Sequence, residues 1–127
     1  MKFLLLASAG GAIGAGLRFL INQAFATRGV GGFPWATLTV NIAGAFLMGI
    51  VMTLVVEKFS GSPEIRTFFA TGILGGLTTF SAFTYEVSQL IAADGPASPR
   101  MLIYIAGSVL LSLSALYAGI AVSRGVL

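Results

Sequence analysis

The sequence predicts an all-α membrane protein of four transmembrane helices with a break in the third. Three observations carry that expectation. Of the 127 residues, 57% are hydrophobic and only 9% charged, at a mean hydropathy of +0.98, whereas a soluble domain is about a quarter charged. Four stretches each hold the roughly 20 largely apolar residues that cross a hydrocarbon core. The third of them contains Gly72-Ile73-Leu74-Gly75-Gly76-Leu77-Thr78-Thr79-Phe80-Ser81-Ala82-Phe83-Thr84, with paired glycines, four hydroxyls and two phenylalanines. At membrane depth such a run survives only when buried in protein or beside water. It therefore reads as a broken helix flanking a polar path, an element that handles ions.

The first span runs from Phe3 to Ala26 and is interrupted by Arg18. Its start imitates a signal peptide, with Lys2, apolar Phe3 to Leu6 and Ala7-Ser8-Ala9. Four apolar residues are too few for an h-region, and hydrophobicity continues past them, so an uncleaved helix is expected. The second span, Trp35 to Val56, carries Asn41; the third, from about Phe68 to Ala93, carries Glu86; the last is Met101 to Val122. The single domain therefore has helices at about 3–26, 35–56, 68–93 and 101–122. Glycine and proline punctuate the three connections, Thr27 to Pro34, Glu57 to Thr67 and Asp94 to Arg100.

Lys2, Lys58, Arg66 and Arg124 collect on one side of this arrangement, Arg28 and Arg100 on the other. Four against two favours cytoplasmic termini while leaving room for insertion in both orientations. Gly10 and Gly14 stand in GxxxG spacing, with Gly44 and Gly49 on the second helix and Gly72 and Gly76 on the third. In lipid, small residues let helices approach closely. Four helices enclose a private hydrated path poorly, so these surfaces point to self-association, most simply a dimer.

Several chemistries are absent from the chain. With no cysteine or histidine, disulfides, thiolate or imidazole metal sites, Cys nucleophiles and His bases are excluded. Glu57, Glu64, Glu86 and Asp94 are the only carboxylates, and no nucleophile with a base can be assembled. The net charge of +3 is spread over loops, without a cluster that could grip nucleic acid.

The polar residues at membrane depth each have a bland and a functional reading. Arg18 shares a helix face with Asn22; it either anchors the helix at the interface or draws anions into a vestibule. Asn41 lies one turn beyond Thr37 and either bonds a neighbouring helix or donates to a desolvated anion. Phe80 and Phe83, three apart, are ordinary packing residues unless their positive ring edges face a pore. Ser108 and Ser112 make an i, i+4 hydroxyl track, although a membrane-helix serine ordinarily bonds its own backbone. Glu86, one turn past Phe83, is close enough to its helix end to pair or reach water.

Three motifs together resemble the CrcB/Fluc family of small fluoride channels. They are Gly10-Gly11-Ala12-Ile13-Gly14-Ala15-Gly16-Leu17-Arg18-Phe19, Trp35-Ala36-Thr37-Leu38-Thr39-Val40-Asn41-Ile42-Ala43-Gly44-Ala45-Phe46, and the run from Gly72 to Phe83. The resemblance covers nearly the whole chain. It implies a multi-pass protein of the inner (plasma) membrane, passively exporting fluoride that enters cells as HF. It also implies an antiparallel, dual-topology homodimer with two fluoride pores at its interface.

Carried over residue by residue, the resemblance makes Phe80 and Phe83 the pore phenylalanines and Asn41 the pore-lining amide. Arg18 becomes the vestibule cation, and Ser81, Ser108 and Ser112 the hydroxyl track. Thr37 falls near one pore mouth and Glu86 near the other. A structural Na+ at the dimer centre maps to the main-chain carbonyls of Gly75 and Thr78. The implied partners are fluoride, lipid and a second copy of the chain.

The sequence departs from the family pattern at Ala82, where threonine is common, and at Phe33-Pro34-Trp35-Ala36, where a glycine often precedes the threonine. Two other readings stand beside the channel. A small drug/proton or anion/proton antiporter shares the size and topology, but the drug/proton exporters need a carboxylate in the first helix, which here has Arg18 and no acid. A non-transporting scaffold subunit would explain the glycines and leave the hydroxyl-aromatic run without a purpose.

Overall fold

Glycine, proline and hydroxyl caps divide the chain into helices much as the breakers predict. The computed structural model describes residues 1–28 and 32–126, so part of the connection expected over Thr27 to Pro34 lies outside the described residues. Helix α1 is Lys2–Thr27 and α2 is Trp35–Glu57. A short turn α3, Pro63–Ile65, leads into a π-helix, Arg66–Leu74, and a last turn α4, Gly75–Leu77. Helix α5 is Phe80–Asp94 and α6 is Pro99–Val126. Among the described residues there is no strand.

The ends have local causes. Gly61 adopts φ +73°, the left-handed region glycine enters freely, and its N–H caps the Val55 carbonyl at 2.7 Å. Ser62 then accepts from Ile65 N–H with Pro63 in the first turn, a proline-started helix. Gly95, at φ +93°, closes α5 by bonding the Ile91 carbonyl at 2.8 Å. Ser98 Oγ accepts from Met101 N–H at 3.2 Å and opens α6.

Helices α1, α2 and α6 are long and apolar enough to cross a membrane, which makes this a multi-pass membrane protein. The expected third span is not one helix. Its first rod, α3 through α4, stops at Thr78 and Thr79, both extended (ψ 155° and 127°), and α5 continues beyond them. Ion pairs tie Lys2 to Glu64 and Arg124 to Glu57 at one end of the molecule. Arg100 pairs with Asp94 and donates to the Gly32 carbonyl at the other. Lys2 and Arg124 therefore lie at one end and Arg100 at the opposite one.

The glycines serve the close helix packing expected of small residues, but within one protomer. A Cβ on Gly10 would strike Phe68 and Gly72 backbone, one on Gly14 the Ile73 carbonyl, and one on Gly76 the Gly11 carbonyl. The GxxxG face of α1 therefore receives the π-helix and α4 of its own chain. Gly49 and Gly119 do the same between α2 and α6. Small residues here let backbones approach within the protomer, where dispersion rather than hydrophobicity holds helices together in lipid. They are not evidence for a dimer, since these glycines' faces are already filled.

Candidate functional site

The two-residue break organises the site. An interrupted helix leaves main-chain groups without partners, and in lipid each must be satisfied within the protein. Asn41 of α2 bonds both main-chain groups of Thr79, whose N–H is the one without a helical partner. Its Oδ1 accepts from Thr79 N–H at 2.8 Å, and its Nδ2 donates to the Thr79 carbonyl at 3.1 Å. Arg18 of α1 reaches the other side, with Nη1 donating to the Thr78 carbonyl at 3.4 Å. Thr79 Oγ1 accepts from Ala82 N–H at 3.1 Å and so caps α5. Thr78 packs its methyl group onto Gly44, where a Cβ would collide with it.

Beside the break lies an open groove of about 390 Å³. Asn41, Thr78, Thr79, Phe80 and Phe83 line it, together with Ser108 and Ser112 of α6. The two phenylalanine rings stand 5.3 Å apart at 36°. Phe83 is buried, at 8% exposed, whereas Phe80 stands 75% exposed.

Three serines of α6 differ from the bonded membrane hydroxyls of the chain. Thr53 bonds the Gly49 carbonyl, Thr78 the Leu74 carbonyl, Thr84 the Ser81 carbonyl and Ser88 the Tyr85 carbonyl. The hydroxyls of Ser108, Ser112 and Ser123 are buried and have no hydrogen-bond partner among the described residues; of these, Ser108 and Ser112 line the groove. The expected fold-back onto the backbone does not occur at either. An unpartnered buried hydroxyl costs on the order of 1–3 kcal/mol, so both stand ready for an acceptor or donor that enters the groove.

A second polar cluster sits one turn along α5. Glu86 accepts from Thr37 Oγ1 at 2.7 Å and from the Tyr104 hydroxyl at 2.6 Å. Thr37 and Tyr104 are almost wholly buried. Thr37 and Glu86 were expected near different pore mouths; within one protomer they are hydrogen-bonded partners instead. Helix α5 carries Glu86 back across α2, which sequence separation does not reveal.

The structure thus brings Asn41, Phe80, Phe83, Ser108 and Ser112 to one groove. It leaves Ser81 outside that lining, with its hydroxyl 3.1 Å from Thr79 Oγ1. Arg18 faces the break rather than standing free. Gly75 lies at the start of the last turn before it. In a continuous α-helix the Gly75 carbonyl would receive Thr79 N–H, which Asn41 holds.

Two residues escaped the sequence reading. Tyr104 precedes Ser108 by one turn, so the i, i+4, i+8 spacing with Ser112 could have marked it. Thr79 precedes a helix start, the ordinary position of a hydroxyl cap.

Known proteins resemble the chain along its length. A family described as CrcB-like protein, Camphor Resistance (CrcB), matches residues 5–120. The fluoride-specific ion channel FluC of Rhizobium meliloti (strain 1021) is 44% identical over 98% of both chains. FluC of Chelativorans sp. (strain BNC1) is 46% identical over the full length of both. FluC of Hahella chejuensis (strain KCTC 2396) is 45% identical over 93% of this chain and 91% of its own.

Proposed function

The chain belongs to the CrcB-like family, and on that premise we propose that it is a fluoride-selective channel for passive export of the anion. It is a multi-pass protein of the plasma membrane and not an enzyme. The observation that carries the reading is the pair of buried, unpartnered hydroxyls on Ser108 and Ser112. They face a groove that also presents an amide and two phenylalanines. Fluoride is small and strongly hydrated, so a narrow dry path must replace its water with donors. Hydroxyls, the Asn41 amide and positive ring edges are such donors.

In this reading the broken rod and α5 together make the fourth membrane crossing. Two copies of opposite orientation enclose two pores, with Phe80 and Phe83 contributing to the walls. The exposure of Phe80 supports this, because a pore wall open in one protomer needs a second to close it. The four-to-two distribution of basic residues is compatible with insertion in both directions. Arg18 supplies positive charge beside the groove. A structural sodium belongs to the same reading, held by the Gly75 and Thr78 carbonyls of both copies. Carbonyl oxygens suit a hard cation, and the break deprives Gly75 of its helical donor. Arg18 also bonds the Thr78 carbonyl, at 3.4 Å, and would share that oxygen with the ion.

Anion efflux from liposomes containing the purified protein tests the proposal. Valinomycin carries potassium to balance charge. Fluoride release without chloride release, and only with valinomycin, is expected. Release without valinomycin would indicate electroneutral coupled transport. A folded protein that releases neither anion would be a scaffold subunit.

A further inference from the structure

We propose that Asn41 is the positioning residue that creates and holds the helix break. The claim about the break stands on main-chain geometry; only its consequence for flux rests on the fluoride reading. A membrane helix tends to stay continuous, because an interruption leaves N–H and C=O groups that lipid cannot satisfy. Thr79 is the N-cap of α5, so its carbonyl opens that helix while its N–H has no helical partner. Asn41 Oδ1 accepts the N–H at 2.8 Å and Nδ2 gives the carbonyl a further bond at 3.1 Å. The carboxamide matches a main-chain amide in size and polarity, so its oxygen replaces the Gly75 carbonyl that a continuous helix would offer the Thr79 N–H, and its N–H holds the same residue by the carbonyl.

Phe80 is the next residue after Thr79, and Phe83 follows on the same short helix. The Asn41 clamp therefore sets where both rings stand in the groove. A residue on α2 fixes α5 without touching either phenylalanine through its amide. The carboxamide has one further N–H, and this is the only part of it left for an ion in the groove. Its two other bonds are structural.

Side-chain substitutions separate the two ends of the clamp. Asn41→Asp keeps an acceptor for Thr79 N–H and loses the donor to the carbonyl. Asn41→Leu, of similar volume, loses both. The measurement is residue-resolved amide hydrogen exchange of the full chain in lipid nanodiscs, with fluoride flux recorded on the same preparations. In the unaltered protein the Thr79 amide is expected to be protected despite its extended backbone. Asn41→Asp should keep that protection while losing flux, because its added carboxyl group lies in an anion path. Asn41→Leu should speed Thr79 exchange about tenfold, the effect of losing one ordinary hydrogen bond, or move the helix boundary.

Ser108→Ala serves as the control that removes a groove hydroxyl and leaves the Asn41 bonds alone. Unchanged Thr79 exchange there, with altered exchange in Asn41→Leu, supports the clamp. Equal Thr79 protection in the unaltered, Asp and Leu chains would overturn it. If Asn41→Leu does not fold, the unaltered chain still decides: a freely exchanging Thr79 amide rejects the clamp. Absence of fluoride flux in the unaltered chain would reject the channel reading and leave the exchange result standing.

Discussion

Tyr104, which has no exposed surface, donates its hydroxyl to Glu86 at 2.6 Å, and its ring lies 5.2 Å from that of Phe83. A single side chain on α6 thus positions both a carboxyl group and a groove phenylalanine on α5. Tyr104→Phe keeps the ring contact and deletes the hydrogen bond. It should lower stability by about 1–2 kcal/mol, read as a fall in melting temperature. Thr37→Val should act in the same direction on the same carboxyl group, and the two effects should not add, since the pair shares Glu86.

Phe80 stands open while Phe83 is buried, so their substitutions should part company. Phe80→Ile should abolish fluoride release, by at least about tenfold for a loss of about 1.4 kcal/mol at the barrier, without changing stability. Phe83→Ile should reduce flux and also destabilise, because its ring packs on Tyr104. Full flux in Phe80→Ile would remove that ring from the mechanism.

Ser108→Ala and Ser112→Ala delete hydroxyls that have no partner. Each should leave the melting temperature unchanged or raise it, because an unsatisfied buried group is removed. Both should lower fluoride flux. A loss of stability in either variant would show that the hydroxyl serves the fold.

Gly14→Leu should prevent assembly of α1 onto the π-helix, since its Cβ meets the Ile73 backbone, which cannot move aside like a side chain. Overpacking of this kind costs about 1–3 kcal/mol or more. Gly16→Ala, whose Cβ meets nothing, should be tolerated and gain up to about 1 kcal/mol of helix stability. Heat-denaturation midpoints of the two variants compare them directly.

Lys2 holds the Glu64 carboxyl group below the ordinary glutamate range, chiefly through their hydrogen bond. A depressed carboxyl value stabilises the folded chain above the unfolded value and stops doing so as pH falls through the folded one. Lys2→Met should therefore flatten the acid side of the stability profile and leave the alkaline side unchanged. The contact is solvent-exposed, so the effect is small and weakens with salt. Cysteine labelling at the same position, from both faces of oriented membranes, tests insertion in two orientations; labelling from one face only would sink it.

Composition by itself determined that helices cross the membrane, because 57% apolar residues in spans of sufficient length have no other stable arrangement. The glycine, proline and hydroxyl pattern likewise located the connections and the break, whose causes are local backbone preferences. Phe80, Phe83, Ser108 and Ser112 were legible as a candidate path through spacing on their own helices.

Only the tertiary structure decided which groups those residues meet. Asn41 finds Thr79 across 38 residues, and Thr37 finds Glu86 across 49. Such pairs depend on how α2 lies against α5, an arrangement that no local period encodes. The same holds for Gly10 and Gly14. Their spacing announces a close helix contact, but the identical pattern would serve a second copy of the chain or another helix of the same one. Backbone geometry chose the latter, because the π-helix offers a surface that only a residue without Cβ can approach.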